Sequence, residues 1–300
     1  MKNTQNMIQS WSAAARLRTL PIPIIQVLTG SALAYSTKGD LDWGILLFTC
    51  LIAIFITIGT NLINDVFDFE KGADGPKRLG FLKVIGSGLI PKEQIRCAGL
   101  ISFALAILFS IPLALHAGWI LFFLVMLSAV CGYAYTGGPY PISYLGLSEV
   151  FILVFYGGVC VGASYYVQTG FFSGQAFLCS MQMGLLAILP NAMNNFRDIH
   201  EDEENEKRTL AVRFGKTFAR WEIASVLFLP FILGLAWVYY DYLPAALLPL
   251  TLAPMSLLFI RTVWMTDPGP LFNRLFGFSV LLHFLFGLLM SIGFFLEPVQ

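Results

Sequence analysis

The fold is decided by residues 43–64, which read WGILLFTCLIAIFITIGTNLIN without a single charged side chain. A bilayer core about 30 Å thick requires roughly 20 consecutive apolar residues in a helix, and this stretch meets that length. The run ends with Asn61 and Asn64 and is followed at once by Asp65 and Asp68. We therefore predict a membrane-spanning helix that carries polar side chains at one end.

Eight further stretches have the same apolar character, and the whole composition agrees with them. Apolar residues make up 57% of the chain and charged residues only 12%, whereas soluble proteins have about 25% charged residues. Open strands cannot satisfy their backbone groups in lipid, so the stretches are predicted to be helices. The nine predicted spans are residues 19–36, 43–64, 97–115, 118–135, 147–167, 175–196, 221–240, 243–264 and 274–296.

The distribution of the basic residues predicts how the chain is oriented. The formal net charge is +0, so no basic surface points to nucleic acid as a partner. If the N-terminus is cytoplasmic, 17 of the 18 Lys and Arg residues lie in cytoplasmic segments, and only Lys38 lies outside. Such a bias follows the positive-inside rule. It predicts an integral membrane protein in a lipid bilayer, with its N-terminus in the cytoplasm.

Two acidic segments, at about residues 61–92 and 191–216, follow the second and sixth predicted spans. Both are predicted to be cytoplasmic, and Asp65 and Asp198 occupy matching places 133 residues apart. This arrangement indicates two pseudo-repeated four-helix halves with a ninth helix added, enclosing a central cavity. We expect one all-α transmembrane domain over residues 1–300.

The polar residues of each acidic segment share one helical face. In the first segment Asn61, Asn64, Asp65 and Asp68 follow the spacing i, i+3, i+4 and i+7. The second segment repeats this face with Asn191, Asn194, Asn195, Asp198 and Asp202.

Carboxylates at a membrane helix end are costly unless they face a wet cavity or a cation. Two facing Asp clusters would repel each other unless positive charge lay between them, and Mg²⁺ suits carboxylate and phosphate oxygens. The alternative is structural, with Asp and Asn capping helix ends and offsetting nearby Lys and Arg.

Basic residues follow both clusters and are the candidates for binding phosphate. Lys77 and Arg78 follow the first cluster, and Lys207 and Arg208 follow the second. Charged donors of this kind bind the phosphate charge that metal ions leave over. The two segments together therefore predict a phosphate-binding site on the cytoplasmic side.

These motifs resemble the UbiA superfamily of intramembrane prenyltransferases, and most closely its branch of 1,4-dihydroxy-2-naphthoate polyprenyltransferases in menaquinone synthesis. The resemblance runs from about residue 16 to residue 216. Its motifs are RLRTLP at 16–21, NDVFDFEKGAD at 64–74, YTGGPYP at 135–141, YYVQTG at 165–170, NNFRDIHED at 194–202 and KRTLAVRFG at 207–215.

The resemblance implies an enzyme of the bacterial inner membrane that requires Mg²⁺, with two ions. It would transfer a polyprenyl chain from polyprenyl diphosphate to 1,4-dihydroxy-2-naphthoate, losing CO₂ and pyrophosphate and giving demethylmenaquinone. The implied catalytic residues are Asp65, Asp68, Asp198 and Asp202. Asn61, Asn64 and Asn194 join them as implied metal ligands.

Five residues are candidates for the acceptor or the carbocation: Arg18, Tyr133, Tyr135, Glu149 and Arg197. An acceptor anion that enters a site of low dielectric needs a fixed cation, and the two Arg residues lie at helix ends. The two Tyr residues offer aromatic faces to a cation, or they are ordinary belt tyrosines. Glu149 lines the acceptor site or pairs with a basic residue.

Two details stay open at this stage. Many superfamily members have Asp where this chain has Gly72, and Asp74 lies two residues on; it either reaches metal or only orders its segment. Gly158 and Gly162 are expected to permit close helix contact for an apolar groove.

Two other functions are compatible with the pattern. The first is the same fold with another acceptor, such as 4-hydroxybenzoate or a tetrapyrrole precursor. The second is a cation-coupled transporter, although transporters place acidic residues near the bilayer midplane. Here nearly all the acidic residues lie towards one membrane face.

Overall fold

The computed structural model describes residues 2–72 and 84–297, and all the regular elements in these two ranges are helical. The helices are labelled α1 to α11 in chain order. They are α1 Lys2–Ala14, α2 Pro21–Lys38, α3 Trp43–Glu70, α4 Lys92–Ala117, α5 Ile120–Ala134, α6 Ser148–Thr169, α7 Gly174–Arg197, α8 Ile199–Glu204, α9 Leu210–Val238, α10 Leu243–Met265 and α11 Phe272–Leu296. A single 3₁₀ turn, Leu17–Thr19, precedes α2.

Every predicted span corresponds to a helix, which confirms the all-helical membrane fold. Within the described ranges, eight helices are long and apolar enough to cross a membrane. The ninth, α5, has only 15 residues and is about 22 Å long at 1.5 Å per residue. Residues 61–70 of the first acidic segment are helical, because α3 continues without a break to Glu70.

Polar side chains fix where several of the spans begin. The backbone N–H of Ile45 donates to Asp42 at the start of α3, and that of Ala176 donates to Ser173 at the start of α7. Such caps satisfy donors that the first helical turn leaves without a partner. These caps define where α3 and α7 begin, and the polar residues of both helices lie at their opposite ends.

Two packed groups of helices surround a cavity. One group is formed by α3, α4 and α5, and the other by α2, α6, α7, α9 and α11. The central helix is α7, which packs against α6, α9 and α11. In its most apolar 18-residue stretch, 72% of the residues are buried. The two acidic motifs lie on α3 and α7, one in each group, so they face each other across the cavity.

A π-helical segment, Leu153–Val161, interrupts α6 where it passes α7. The N–H of Gly162 donates to the carbonyl of Gly157, five residues earlier. At Gly157 the backbone of α6 lies directly on Ser180 of α7, too close for any Cβ. The expectation for Gly158 was wrong, since nothing in the described ranges lies within 4 Å of a Cβ built there. The close contact of α6 with α7 lies at Gly157, within the π-helical segment.

Candidate active site

The first acidic motif occupies the last turns of α3, where its side chains meet the turn before α2. The Oδ1 atom of Asp65 accepts a hydrogen bond from Arg16 at 2.7 Å, and Asp65 is only 2% exposed. The amide of Asn61 donates to the carbonyl of Ala15 at 3.3 Å and so ties the same turn to α3. Asp68 accepts a hydrogen bond from the hydroxyl of Tyr144 at 3.3 Å.

Arg16 reaches Asp65 through an unusual backbone conformation. Its φ is 51° and its ψ is 50°, in the left-handed region that costs a residue with a side chain free energy. The turn between α1 and the 3₁₀ segment is therefore held against its own preference by the contacts of Arg16 and Asn61. The guanidinium group of Arg16 is thereby placed in the lining of the cavity, at its mouth.

The second motif is built where α7 ends and α8 begins. Arg197 donates two hydrogen bonds to the Asp198 carboxylate, each of 2.6 Å, and a third to Asn273 of α11 at 2.8 Å. Lys207 donates to Asp202 at 3.1 Å. Planar two-pronged contacts of the Arg–Asp kind fix the orientation of both groups. Arg197 therefore connects Asp198 to Asn273 of α11 and so fixes the position of the carboxylate.

Burial and charge act in opposite directions on the Asp202–Lys207 pair. Burial raises the pKa of Asp202, and the charge of Lys207 works against this shift. Burial lowers the pKa of Lys207, but the carboxylates of Asp202 and Asp68 more than offset it, so the pKa rises. Because Asp68 belongs to the first motif, Lys207 links the two motifs electrostatically.

One cavity of about 290 Å³ joins both motifs. Its polar end is lined by Arg16, Asn61, Asn64, Asp68, Tyr135, Ser148, Asn191, Asn194, Asn195, Arg197, Asp198 and Lys207. Its other end is apolar and reaches Thr49, Leu113 and Val167. From Asp68 to Thr49 along α3 is about 28 Å at 1.5 Å per residue, close to the thickness of a bilayer core.

The oxygen donors at the polar end fit a hard divalent cation. Oδ1 of Asn194 is buried and finds no hydrogen-bond partner within residues 2–72 and 84–297, although Asn194 lines the cavity. Asp68 and Asp198 line the same cavity, and Mg²⁺ takes one or two carboxylates together with other oxygens. In the described part of the chain, no three carboxylate, His or Cys side chains converge on one point, because the Asp side chains pair with cations instead.

The structure separates the candidate acceptor residues into two sets. Tyr135 and Arg197 line the cavity, and the hydroxyl of Tyr135 donates to Ser148 at 3.1 Å. Arg18 is exposed and lies outside the cavity lining, whereas Tyr133 packs edge-on against Phe67. Glu149 accepts hydrogen bonds from two amides, those of Asn191 and Asn195; among the described residues it forms no ion pair.

The candidate residues for diphosphate binding are only partly described. Lys207 lines the cavity, and Arg208 is exposed, its backbone N–H donating to Tyr144. Lys77, Arg78 and Asp74 lie outside the described residues.

Three residues of the cavity lining, Arg16, Asn191 and Asn195, were named in the sequence patterns but were given no role in the site. Arg16 lies two residues before Arg18 in the same short motif, and only the fold distinguishes which of the two faces inward. Asn191 and Asn195 share the helical face of Asn194 and Asp198, so their spacing was a usable signal.

Comparisons with known proteins agree with this geometry. The sequence profile of the UbiA prenyltransferase family matches residues 24–292. The chain is 31% identical to 1,4-dihydroxy-2-naphthoate octaprenyltransferase of Haemophilus influenzae, over 97% of this chain and 99% of that protein.

Solved structures have the same fold. A UbiA homolog from Aeropyrum pernix matches with a TM-score of 0.69 at 14% identity, over 93% of this chain and 96% of that chain. A UbiA homolog from Archaeoglobus fulgidus bound to GPP and Mg²⁺ matches with a TM-score of 0.60 at 14% identity, over 94% of this chain and 99% of that chain. The chain therefore belongs to the UbiA prenyltransferase family and is a membrane-embedded prenyltransferase.

Proposed function

We propose that this enzyme transfers a polyprenyl chain from polyprenyl diphosphate to 1,4-dihydroxy-2-naphthoate. The reaction would require Mg²⁺, release CO₂ and pyrophosphate, and give demethylmenaquinone. The observation that carries the proposal is the cavity, which has Asp68, Asp198 and Lys207 at one end and is lined along the rest of its length mainly by apolar side chains with some Ser and Thr hydroxyls. The name of the Haemophilus influenzae relative supports the naphthoate as acceptor.

The proposed metal site draws on both motifs. The residues that would hold two ions are Asp65, Asp68, Asp198 and Asp202, with amide oxygens from Asn61, Asn64 and Asn194. The Archaeoglobus fulgidus homolog bound to GPP and Mg²⁺ supports a requirement for Mg²⁺. Mg²⁺, when bound, offsets the negative charge that grows on the leaving diphosphate.

Basic side chains of the chain complete the proposed diphosphate site. Lys207 and Arg16 line the cavity and reach phosphate oxygens by leaving the carboxylates that they contact. Lys77, Arg78 and Arg208 are proposed to add further donors. Charge-assisted hydrogen bonds of this kind stabilise the diphosphate as it leaves.

The walls next to the polar end suit an allylic carbocation. Phe151 lies between Tyr135 and Phe155, with ring centroids 5.1 Å and 4.5 Å away. Aromatic faces stabilise a cation and exclude water that would capture it. The bond between the allylic carbon and the diphosphate oxygen breaks, the carboxylated ring carbon attacks, and loss of CO₂ restores the aromatic ring.

The prenyl tail is proposed to lie in the apolar part of the cavity. Leu121 and Val125 of α5 line one side of it, and Val159 and Ala163 of α6 line the other. These side chains offer apolar contact without polar groups to desolvate.

The proposal includes the placement of the protein. Residues 1–300 form a single domain in the bacterial inner membrane, with the N-terminus and both acidic segments in the cytoplasm. A water-soluble acceptor would then enter from the side on which Asp68 and Asp198 lie.

The test is an assay in membranes that contain the purified protein, Mg²⁺ and a polyprenyl diphosphate. We expect prenylation of 1,4-dihydroxy-2-naphthoate with release of CO₂, and none after chelation of divalent metal. Faster prenylation of 4-hydroxybenzoate, or of a tetrapyrrole precursor, would overturn the acceptor assignment. Transfer that persists without divalent metal would overturn the metal assignment.

A further inference from the structure

Glu149 is a buried carboxylate that holds two amides of the cavity wall. It lies in the first turn of α6 and is 8% exposed. Its Oε1 atom accepts hydrogen bonds from Nδ2 of Asn191 at 3.1 Å and Nδ2 of Asn195 at 3.0 Å. Both amides lie on α7 and line the cavity, so Glu149 acts on the cavity through them.

The hydrogen bonds at Glu149 fix the direction of both amides. Its Oε1 atom accepts from both Nδ2 atoms, so each carbonyl oxygen is directed away from Glu149. Oδ1 of Asn191 lies 3.4 Å from the hydroxyl of Tyr135. A phenolic hydroxyl of the chain itself therefore already lies on this carbonyl oxygen.

Stability alone does not account for a carboxylate at this place. The Oε2 atom of Glu149 is buried and has no hydrogen-bond partner in the two described ranges. A buried carboxyl oxygen without a partner costs free energy. The carboxyl group of Glu149 therefore calls for an explanation beyond packing.

The position of Asn191 suits the ring of an aromatic acceptor. Asn191 lies three residues before Asn194 on α7, which is about one helical turn deeper in the membrane. The diphosphate is proposed to bind at the level of Asn194 and Asp198. The ring that attacks the allylic carbon would then lie at the level of Asn191, beside Tyr135 and Ser148.

We propose that Glu149 is the positioning residue of the acceptor subsite, where it directs the carbonyl oxygens of Asn191 and Asn195 to the hydroxyl groups of an aromatic acceptor. A carbonyl oxygen that accepts a hydrogen bond from a ring hydroxyl increases the electron density of the ring. The ring carbon that attacks the allylic cation thereby becomes a better nucleophile. The substrate class is a hydroxylated arene, and this identification rests on the proposed function.

The test compares Glu149→Gln with the wild type in both KM values. Glutamine keeps the shape, but its Nε2 donor allows either amide to turn its carbonyl oxygen away from the cavity. We expect the acceptor KM to rise about tenfold, the effect of about one hydrogen bond, while the diphosphate KM changes less than twofold. An equal rise in both values, or no rise in the acceptor value, would overturn the proposal.

Glu93→Gln is the control, because Glu93 also lies in the first turn of a long apolar helix, α4, but is exposed and lies outside the cavity lining. Its acceptor KM should stay at the wild-type value. A rise equal to that of Glu149→Gln would show a general effect of replacing a glutamate and would overturn the proposal. If Glu149→Gln does not accumulate in membranes, Asn191→Ala should show the same split between the two KM values.

Inhibition by unreactive analogues separates this proposal from the proposed function. For each variant we compare the inhibition constants of two analogues. The first is 2-naphthoate, which lacks both hydroxyl groups, and the second is 1-hydroxy-2-naphthoate. The hydroxylated analogue should bind about tenfold more tightly to the wild type and equally to Glu149→Gln. A preference that survives the substitution would overturn the role of Glu149. If the acceptor is 4-hydroxybenzoate instead, the same comparison with benzoate tests Glu149 independently.

Discussion

Three carboxylates of the site each contact a cation supplied by the chain. Asp65 contacts Arg16, and Asp198 contacts Arg197 through two hydrogen bonds. Asp202 contacts Lys207. These contacts fix the positions of the acidic side chains, and a ligand that carries both metal and phosphate can exchange with both members of a pair.

Loss of any one of these carboxylates should nearly abolish transfer. We expect Asp65→Ala, Asp68→Ala, Asp198→Ala and Asp202→Ala each to lower kcat by at least about 100-fold, the typical effect of removing one group that stabilises charge in a transition state. Glu204→Ala is the control, because Glu204 is exposed on the same short helix as Asp202. Substantial activity in two of the four variants at saturating Mg²⁺ would contradict the metal assignment.

The sequence identified the Asp and Asn residues because their spacing puts them on one helical face. It did not distinguish Arg16 from Arg18, since both lie in one short motif and only the left-handed turn at Arg16 directs that side chain inward. It allowed two roles for Arg197, an ion pair with the neighbouring Asp198 or contact with the acceptor carboxylate, and the choice needed the fold, because adjacent residues on a helix do not ordinarily face each other. Arg197 stays a candidate for reading the acceptor carboxylate, and its contacts with Asp198 and Asn273 favour a role in positioning.

At the scale of the elements, α6 departs most from what its sequence predicts. An apolar pattern defines where a membrane helix lies, and all nine spans were located in this way. It does not report a π turn, because inserting one residue moves the contact face without changing the composition. The close approach of α6 to α7 therefore falls at Gly157, one residue from the glycine that an α-helical repeat favours.

A methyl group at Gly157 should separate α6 from α7. We expect Gly157→Ala to destabilise the protein by about 1–3 kcal/mol, because its Cβ would overlap the carbonyl oxygen of Ser180. Gly158→Ala is the matched control, with open space around its Cβ in the described structure. Thermal unfolding of both variants in detergent measures the difference, and equal melting temperatures would contradict the assigned contact.

At the scale of the whole molecule, the charge distribution predicts the orientation in the membrane. We expect a cysteine at Asn205, in a variant without the native cysteines, to be labelled only after the membrane is made permeable. Asp40→Cys, in the exposed connection between α2 and α3, should be labelled in intact cells. The opposite pattern would reverse the orientation, and labelling of both positions in intact cells would contradict the number of spans between them.

Which helices meet was less accessible to sequence reasoning than how many there are. Hydropathy yields the spans because lipid accepts only helices with internally satisfied backbones. The pairing of α3 with α4 and the central place of α7 arise from small residues and shape, which carry no periodic signal in chains that are apolar on every side. The two acidic motifs could be placed together only because both had to avoid lipid.

The length of the cavity also bears on how the enzyme meets its two substrates. It extends from Asp68 to Thr49, so a long-tailed donor held there never leaves the hydrocarbon phase, whereas the acceptor arrives from water. The rate of transfer then depends on the mole fraction of the donor among the lipids and on the molar concentration of the acceptor in water. Adding inert phospholipid dilutes one substrate in two dimensions and leaves the other unchanged, so membrane growth without new donor should slow prenyl transfer.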